Sequence, residues 1–361
     1  MTLAHPGEIM GLAVRQGCGV GAFNVIQLEL AEAIVEGAEA AGRPIFLQIS
    51  QNCVRYHGAL APVIAACQAV ARAAAVPVAV HLDHAESVPL VTEALELGVD
   101  SVMYDASRLS DEANMASTAA VADLAHARGA WIEAELGEIG GKDGDAVRSP
   151  GAPGHTTSPA APSHTASPAV PRDCTGPAAL GHAVSPASPG DAAIQAAPRD
   201  ATSPSCAVHT VSPACPSPAG GHRPGRRRGA HSPGARTDAA DAARFVEATG
   251  VDALAVAVGS AHAMTTRTAA LDLELIARIR AAVDVPLVLH GSSGVPDADL
   301  AAAVRAGMTK INIATLLNQT FTGSVRATLA ANPDLVDTRK YFAPARAAVA
   351  QAVASLLAVI P

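Results

Sequence analysis

The chain has 361 residues, 49% of them hydrophobic, and a formal charge of −8. That length supports one large domain or two ordinary ones, and the acidic balance gives no reason to expect nucleic acid or an anionic membrane as the main partner. The N-terminus, MTLAHPGEIMGLAVRQG, has no basic region leading into an apolar core, no run of about 18 uninterrupted apolar residues occurs, and the cysteines (18, 53, 67, 174, 206, 215) show no CxxC, so a cytoplasmic protein with free thiols is expected.

Short β-branched runs alternate with longer Ala-rich segments of helical period. In chain order the runs are VGAFNV (20–25), PIFLQIS (44–50), VPVAVHLDH (76–84), VDSVMYDAS (99–107), AWIEAELGE (130–138), VDALAVAVG (251–259), VPLVLHG (285–291) and MTKINIAT (308–315). Helical stretches such as LELAEAIVEGAEAAG, SVPLVTEALELG, LDLELIARIRAAV and DADLAAAVRAG separate them, several ending in a Gly that stops the helix. Near-continuous apolar strands alternating with helices imply a parallel sheet covered by helices, and eight such units point to a closed (β/α)8 TIM barrel. A doubly wound open sheet is the alternative. It fits less well, because polar residues end most of the strands instead of gathering at one switch point.

Residues 146–236 break this pattern. They hold 16 of the 26 prolines, repeat SPA at 158, 167, 185, 212 and 217, and carry eight arginines against three aspartates. A Pro/Ser/Ala-rich segment of this kind buries too little apolar surface to offset chain ordering, so a disordered insertion after strand five is expected. Residues 1–145 and 237–361 then form a single barrel domain, close to the ~250 residues typical of the fold. The insertion's six histidines (155, 164, 182, 209, 222, 231) are irregularly spaced, unlike a structural zinc site, and Arg226–Arg228 read as a solvated charge cluster.

The strand ends carry the chemistry. Strand one ends in Asn24 and strand two in Ser50. HLDH closes strand three with His81, Asp83 and His84, and Asp105 and Ser107 close strand four. Strand five holds Glu133 and Glu135, strand six runs into GSAH with His262, strand seven ends at His290, and strand eight at Asn312 and Thr315. In a closed barrel these ends share one mouth, where His84, His262 and His290 can meet. Three imidazoles with an open position are the donor set of a catalytic metal. Asp83 either orients a ligand or exchanges a proton with substrate, while His81 has the parity of a hydrogen-bonding support. The turns HGSSG (290–294) and NIAT (312–315) precede helices after strands seven and eight, where such barrels cradle phosphate on backbone N–H groups. Of the three lysines, Lys142 lies in a loop, Lys340 in the C-terminal segment, and Lys310 near the start of strand eight. None is placed for a Schiff base, which leaves electrophilic activation to a metal.

Taken in order, HLDHAE, SVMYDAS, EAELGEIGGKDG, AVAVGSAHA, LVLHGSSGVP and KINIAT resemble the class II, zinc-dependent ketose-bisphosphate aldolases, which include fructose- and tagatose-bisphosphate aldolases. The resemblance spans everything but the insertion. It implies aldol cleavage of a ketose 1,6-bisphosphate to dihydroxyacetone phosphate and glyceraldehyde 3-phosphate, or their condensation, on one catalytic Zn2+. It further implies a monovalent cation near the phosphate site and a homodimer or homotetramer, with no nucleic-acid or membrane partner.

By that resemblance His84, His262 and His290 are the zinc ligands and Asp83 the acid/base for the C4 hydroxyl. Asp105 and Glu135 are site carboxylates that form a secondary metal position in some members. Asn24, Ser50 and Ala263 face substrate, and Gly291, Ser292, Ser293, Asn312, Ile313, Ala314 and Thr315 hold dihydroxyacetone phosphate. Two departures stand out: Asp143 occupies the position of the family's loop glutamate, the second acid/base, and Ala263 replaces the usual glycine. Arg339 and Arg346 are candidates for the second phosphate. The rival reading is an impaired or non-catalytic aldolase-like barrel whose insertion acts as an interaction tether.

Overall fold

The computed structural model describes residues 3–137, 139 and 236–361. Residues 146–235 of the expected insertion, Lys142 and Asp143 lie outside the described residues.

Eight parallel strands close into a barrel, each hydrogen-bonded to its sequence neighbours and the last to the first. They are β1 (Val20–Asn24), β2 (Ile45–Ser50), β3 (Val78–Ala85), β4 (Ser101–Tyr104), β5 (Trp131–Leu136), β6 (Ala253–Val256), β7 (Leu287–Leu289) and β8 (Met308–Ile313). All eight expected strands form. β4, β6 and β7 stop short of Asp105, His262 and His290, which lie in the loops at the mouth, whereas β1, β2, β3, β5 and β8 carry Asn24, Ser50, Asp83, Glu135 and Asn312 within the strand. The open-sheet alternative is excluded by the β1–β8 pairing.

Side chains alternate across a strand, so each strand feeds two cores. The outward set, including Phe23, Ile45, Leu47, Val80, Leu82, Ile132, Leu254, Leu289 and Ile311, packs beneath the surrounding helices. The inward set forms layers. Register places Ala22 beside Phe46, Phe46 beside Ala79 and Glu133 beside Ala253. The lowest layers are apolar, and helix α1 (Pro6–Gln16) plugs that end with Ile9, Met10 and Ala13 against Val20, Phe46, Trp131 and Val288. His5 caps α1 through its ring and also hydrogen-bonds Gly129 O at 3.0 Å.

Above them the inward positions turn polar. Gln48, His81, Ser101, Glu133 and Lys310 are all fully buried. Lys310 is the third residue of β8, and its inward parity puts its ammonium inside the barrel, 2.7 Å from Glu133 Oε2 and 3.3 Å from His81 Nε2. The expectation of a lysine at the far end of the barrel is thus corrected. The ion pair holds it one layer beneath the mouth.

Helix α2 (Leu28–Ala41) packs on the long C-terminal helix α11 (Thr338–Val359). The two approach closely at Gly37, where a Cβ would collide with Ala350 O. Among the described residues, α11 is the one helix long and apolar enough by length and composition to cross a membrane. Its Val349, Val353, Leu356 and Leu357 are buried in the barrel's outer core.

Candidate metal centre and active-site cavity

The C-terminal ends of the strands surround a cavity of about 350 Å3, lined by residues that include Asn24, Ser50, Asp83, His84, Asp105, His262, Ala263, His290, Gly291, Ser293, Asn312, Ala314 and Thr315. Asp83 and His84 are neighbours, and a regular strand would send them to opposite faces. A register shift between Leu82 and Ala85, with His84 at φ 50°, brings both to the mouth. Outside glycine this left-handed backbone is uncommon and marks functional strain.

His262 does not end β6. It lies six residues past Val256 in the loop leading to α8 (Leu273–Ala282). That loop is brought in at Gly291, φ 67°, where a Cβ would collide with the Ala261 backbone. The three imidazoles pack edge to face, with ring centroids 4.7–5.6 Å apart. One ligand atom from each, with a Glu135 carboxylate oxygen, falls within 4.8 Å of the others.

Two tautomers are set from behind. His84 Nδ1 faces Asp105 Oδ2 at 3.2 Å, and His290 Nε2 faces Glu133 Oε1 at 3.0 Å. Donation to those carboxylates leaves His84 Nε2 and His290 Nδ1 as acceptors 3.0 Å apart. Two lone pairs at that distance repel unless a proton or a cation lies against them. The donor set of imidazoles and a carboxylate therefore fits a divalent metal, with carboxylates buttressing the ligands. Burial opposes charge on His84, but the carboxylates of Asp83, Asp105 and Glu135 outweigh it and hold its pKa up to about 9. The field that retains a proton there would also retain a cation.

Asp83 is buried. Its Oδ2 accepts from Asn24 Nδ2 at 2.8 Å, and Gln48 Nε2 donates to Asn24 Oδ1 at 3.2 Å, fixing that amide. Asp83 Oδ1 has no hydrogen-bond partner among the described residues. Burial would raise this carboxyl's pKa. The positive fields of His84, His290 and Lys310, with the Asn24 hydrogen bond, outweigh burial and hold it below the usual carboxylate range. An ionised oxygen is thus kept ready at the cavity wall. Deeper in, burial and Lys310 push His81 well below its ordinary value, and its Nδ1 meets Ser101 Oγ at 2.7 Å.

Across the mouth, Ser293 Oγ accepts from the N–H groups of Ala314 and Leu316 at 3.3 and 3.2 Å. This ties the HGSSG turn to the start of helix α10 (Thr315–Ala331), whose own N-cap residue, Ala314, has no side chain able to cap it and whose positive end lies at the cavity edge. The side chains of Ser292 and Ile313 are not part of the lining: the Ser292 hydroxyl donates to Leu289 O, and Ile313 is buried in the outer core.

Arg339 and Arg346, expected at the second phosphate, do not line the cavity: the first is held by Asp337 and the second by Glu32. Sequence reading named Glu133 without giving it a role, and it did not single out Gln48, Gln51, Asn52, Arg55, Glu86 or Arg108. Glu133 orients His290, and Arg55, Glu86 and Arg108 line the outer cavity. For Glu133 the signal was available, since it shares strand parity with Glu135.

The family profile described as Fructose-bisphosphate aldolase class-II matches residues 5–168 and 220–360. A curated Bacillus subtilis (strain 168) protein, "Probable fructose-bisphosphate aldolase", is 30% identical over 355 residues, covering 98% of this chain and 95% of that protein. Among solved structures, the YdjI aldolase from Escherichia coli K12 is similar with a TM-score of 0.67 at 24% identity, covering 99% of this chain and 97% of that one. Fructose-bisphosphate aldolase from Campylobacter jejuni gives 0.63 at 18% identity, covering 98% and 94%. At these identities the structural likeness speaks to the fold.

Proposed function

This chain belongs to the class-II fructose-bisphosphate aldolase family, and from that premise we propose that it is a zinc-dependent aldolase splitting a ketose 1,6-bisphosphate, fructose or tagatose, into dihydroxyacetone phosphate and glyceraldehyde 3-phosphate. The observation that carries the reading is one cavity that joins three converging imidazoles and a buried carboxylate with an oxygen lacking a hydrogen bond to the Gly291–Ser293 turn and the start of α10. His84, His262 and His290 would hold Zn2+, which supplies Lewis-acid polarisation of the C2 carbonyl.

The protein's own groups do the rest. The Gly291–Ser293 turn and the start of α10 hold the C1 phosphate. Asn24, itself fixed by Gln48, aims the Asp83 carboxylate at the C4 hydroxyl. Asp83 takes the hydroxyl proton, the C3–C4 bond breaks toward C3, and the aldehyde fragment forms at C4. A second acid then protonates C3, a role assigned to Asp143 in the loop after β5, outside the described residues. In condensation Asp83 returns its proton to the new C4 oxygen.

We take residues 1–145 and 237–361 as the catalytic domain of a cytoplasmic homodimer or homotetramer, with 146–236 dispensable for folding. Deleting the insertion is expected to leave soluble protein with an unchanged thermal transition, and insoluble protein would contradict that division. The function itself is tested by assaying fructose 1,6-bisphosphate cleavage after chelation and after zinc return. Loss and recovery are expected. Activity that persists through exhaustive chelation would sink the metal-dependent reading.

A further inference from the structure

We propose that Arg267 is the positioning residue for the third imidazole: it anchors the loop that carries His262 to the Val295 carbonyl, from outside the cavity. This rests on the metal-dependent aldolase reading above and goes beyond it by assigning a residue that does not line the site yet sets its geometry.

His84 and His290 are fixed by the barrel itself, one within β3 and the other directly after β7. His262 lies six residues past Val256, in the irregular segment before α8. Residues 261–270, AHAMTTRTAA, have no apolar period that would press them onto the core. The segment is closed at its base. Asp272 N–H donates to Val258 O at 2.9 Å, and Gly259, φ 128°, comes so near that a Cβ would stand 2.2 Å from Ala270 O. Between those points runs a compact loop of the Ω kind, whose ends meet and whose middle must be held by its own contacts.

The middle is held on the chain that follows His290. Arg267 Nε and Nη2 both donate to Val295 O, at 2.9 and 2.6 Å, and Nη2 also meets Asp297 Oδ1 at the start of α9 (Asp297–Ala306). Ala269 N–H donates to Gly294 O at 2.9 Å, and Met264 packs where Gly294 lacks a side chain. Gln319 of α10 donates from Nε2 to Thr265 O at 3.0 Å. Arg267 is the one charged donor in this set. Val295 is fully buried and the Arg267 side chain 33% exposed, so the forked contact is shielded from water, where a hydrogen bond from a charged donor is strongest. The Asp297 carboxylate is 53% exposed, and its pair contributes little. Through this clamp the positions of His262 and His290 are referred to one another by the backbone of residues 291–295.

The test is a competition titration of zinc against a colorimetric chelator, using the full chain and its Arg267→Met, Arg267→Lys and Asp297→Asn variants. Arg267→Met should weaken zinc binding about tenfold, the equilibrium ratio that corresponds to one hydrogen bond from a charged donor. Lysine keeps the charge and loses the fork, so a smaller loss is expected. Asp297→Asn leaves both Val295 bonds and should change zinc affinity by less than about twofold. Cobalt(II) in place of zinc reads the ligand set: its visible bands should shift in Arg267→Met and keep the wild-type form in Asp297→Asn. A purely structural arginine would lower the melting temperature of the metal-free protein and leave zinc affinity and the cobalt bands unchanged. That result overturns the assignment, as does a loss in Asp297→Asn as large as in Arg267→Met. A wild type that binds zinc but cleaves no ketose bisphosphate removes the aldolase reading and leaves the clamp to stand on the titration. A wild type that takes up no zinc overturns both.

Discussion

The two ends of the barrel are built by the same strands and the same alternation, and they have opposite characters. At the closed end α1 covers the opening, and every inward layer is apolar, from Met10 and Phe46 to Trp131. At the mouth, among the described residues, the cavity is walled mainly by carboxylates, imidazoles, amides and hydroxyls. Both non-glycine residues with left-handed backbone among those described, His84 and Ala263, lie at the mouth. One end stores stability and the other spends some of it on strain and buried charge. Between them sits the Lys310–Glu133 pair, which belongs to both: it fills the barrel and also braces His290.

The comparison breaks most sharply on a pair of substitutions. Asp83→Asn should lower kcat by about 10²–10⁴-fold, the usual worth of a positioned acid/base, with no fall in the melting temperature. Phe46→Ala at the closed end should do the reverse, costing about 3–5 kcal/mol in denaturant unfolding while the folded fraction keeps its kcat. If both variants lost activity and stability together, the division between the ends would be wrong.

Lys310→Met tests the layer between. It leaves Glu133 a buried carboxylate bonded to His290 but without its cationic partner, and should cost about 3–5 kcal/mol. Adding Glu133→Gln should recover part of the stability but leave His290 without its anionic brace, so zinc affinity should stay weakened, as a competition titration would show.

pH sharpens the mouth's side of the comparison. A cation arriving at His84 must displace a proton that the surrounding carboxylates hold up to a pKa of about 9. Below that pKa the proton competes, so zinc affinity should climb about tenfold per pH unit from neutral and level off above about pH 9. A flat profile between pH 7 and 9 would mean that the surrounding carboxylates do not hold a proton on His84 in the metal-free protein.

The smallest effect belongs to Ala263, at φ 58°. A methyl group in that conformation is strained, so Ala263→Gly should stabilise by about 0.5–1 kcal/mol, less the added freedom of the unfolded chain. A scanning-calorimetry shift of about 1–3 °C upward is the expected readout.

Eight apolar runs alternating with helical periods were enough to determine the barrel, because burying both faces of a parallel strand leaves its signature in every residue of the run. His84, His290, Asp83, Asn24, Glu135 and Asn312 were legible for a related reason, being polar residues at or near strand ends, and barrel closure assembles such ends in one place. Tertiary structure alone decided the rest. Asp83 and His84 face the same way only through the irregularity in β3, and no local pattern announces a left-handed histidine. Lys310, which looked misplaced from its position in β8, is held inside by a partner 177 residues away. Arg55 sits on the short helix Gln51–His57 after β2, Glu86 and Arg108 sit in the loops after β3 and β4, and they form one cluster because three neighbouring strands deliver them to the same rim. Strand and helix periods are local, so they can be read along the chain. A charge cluster made by closing a ring is a long-range event, and its members carry no mark of one another until the ring closes.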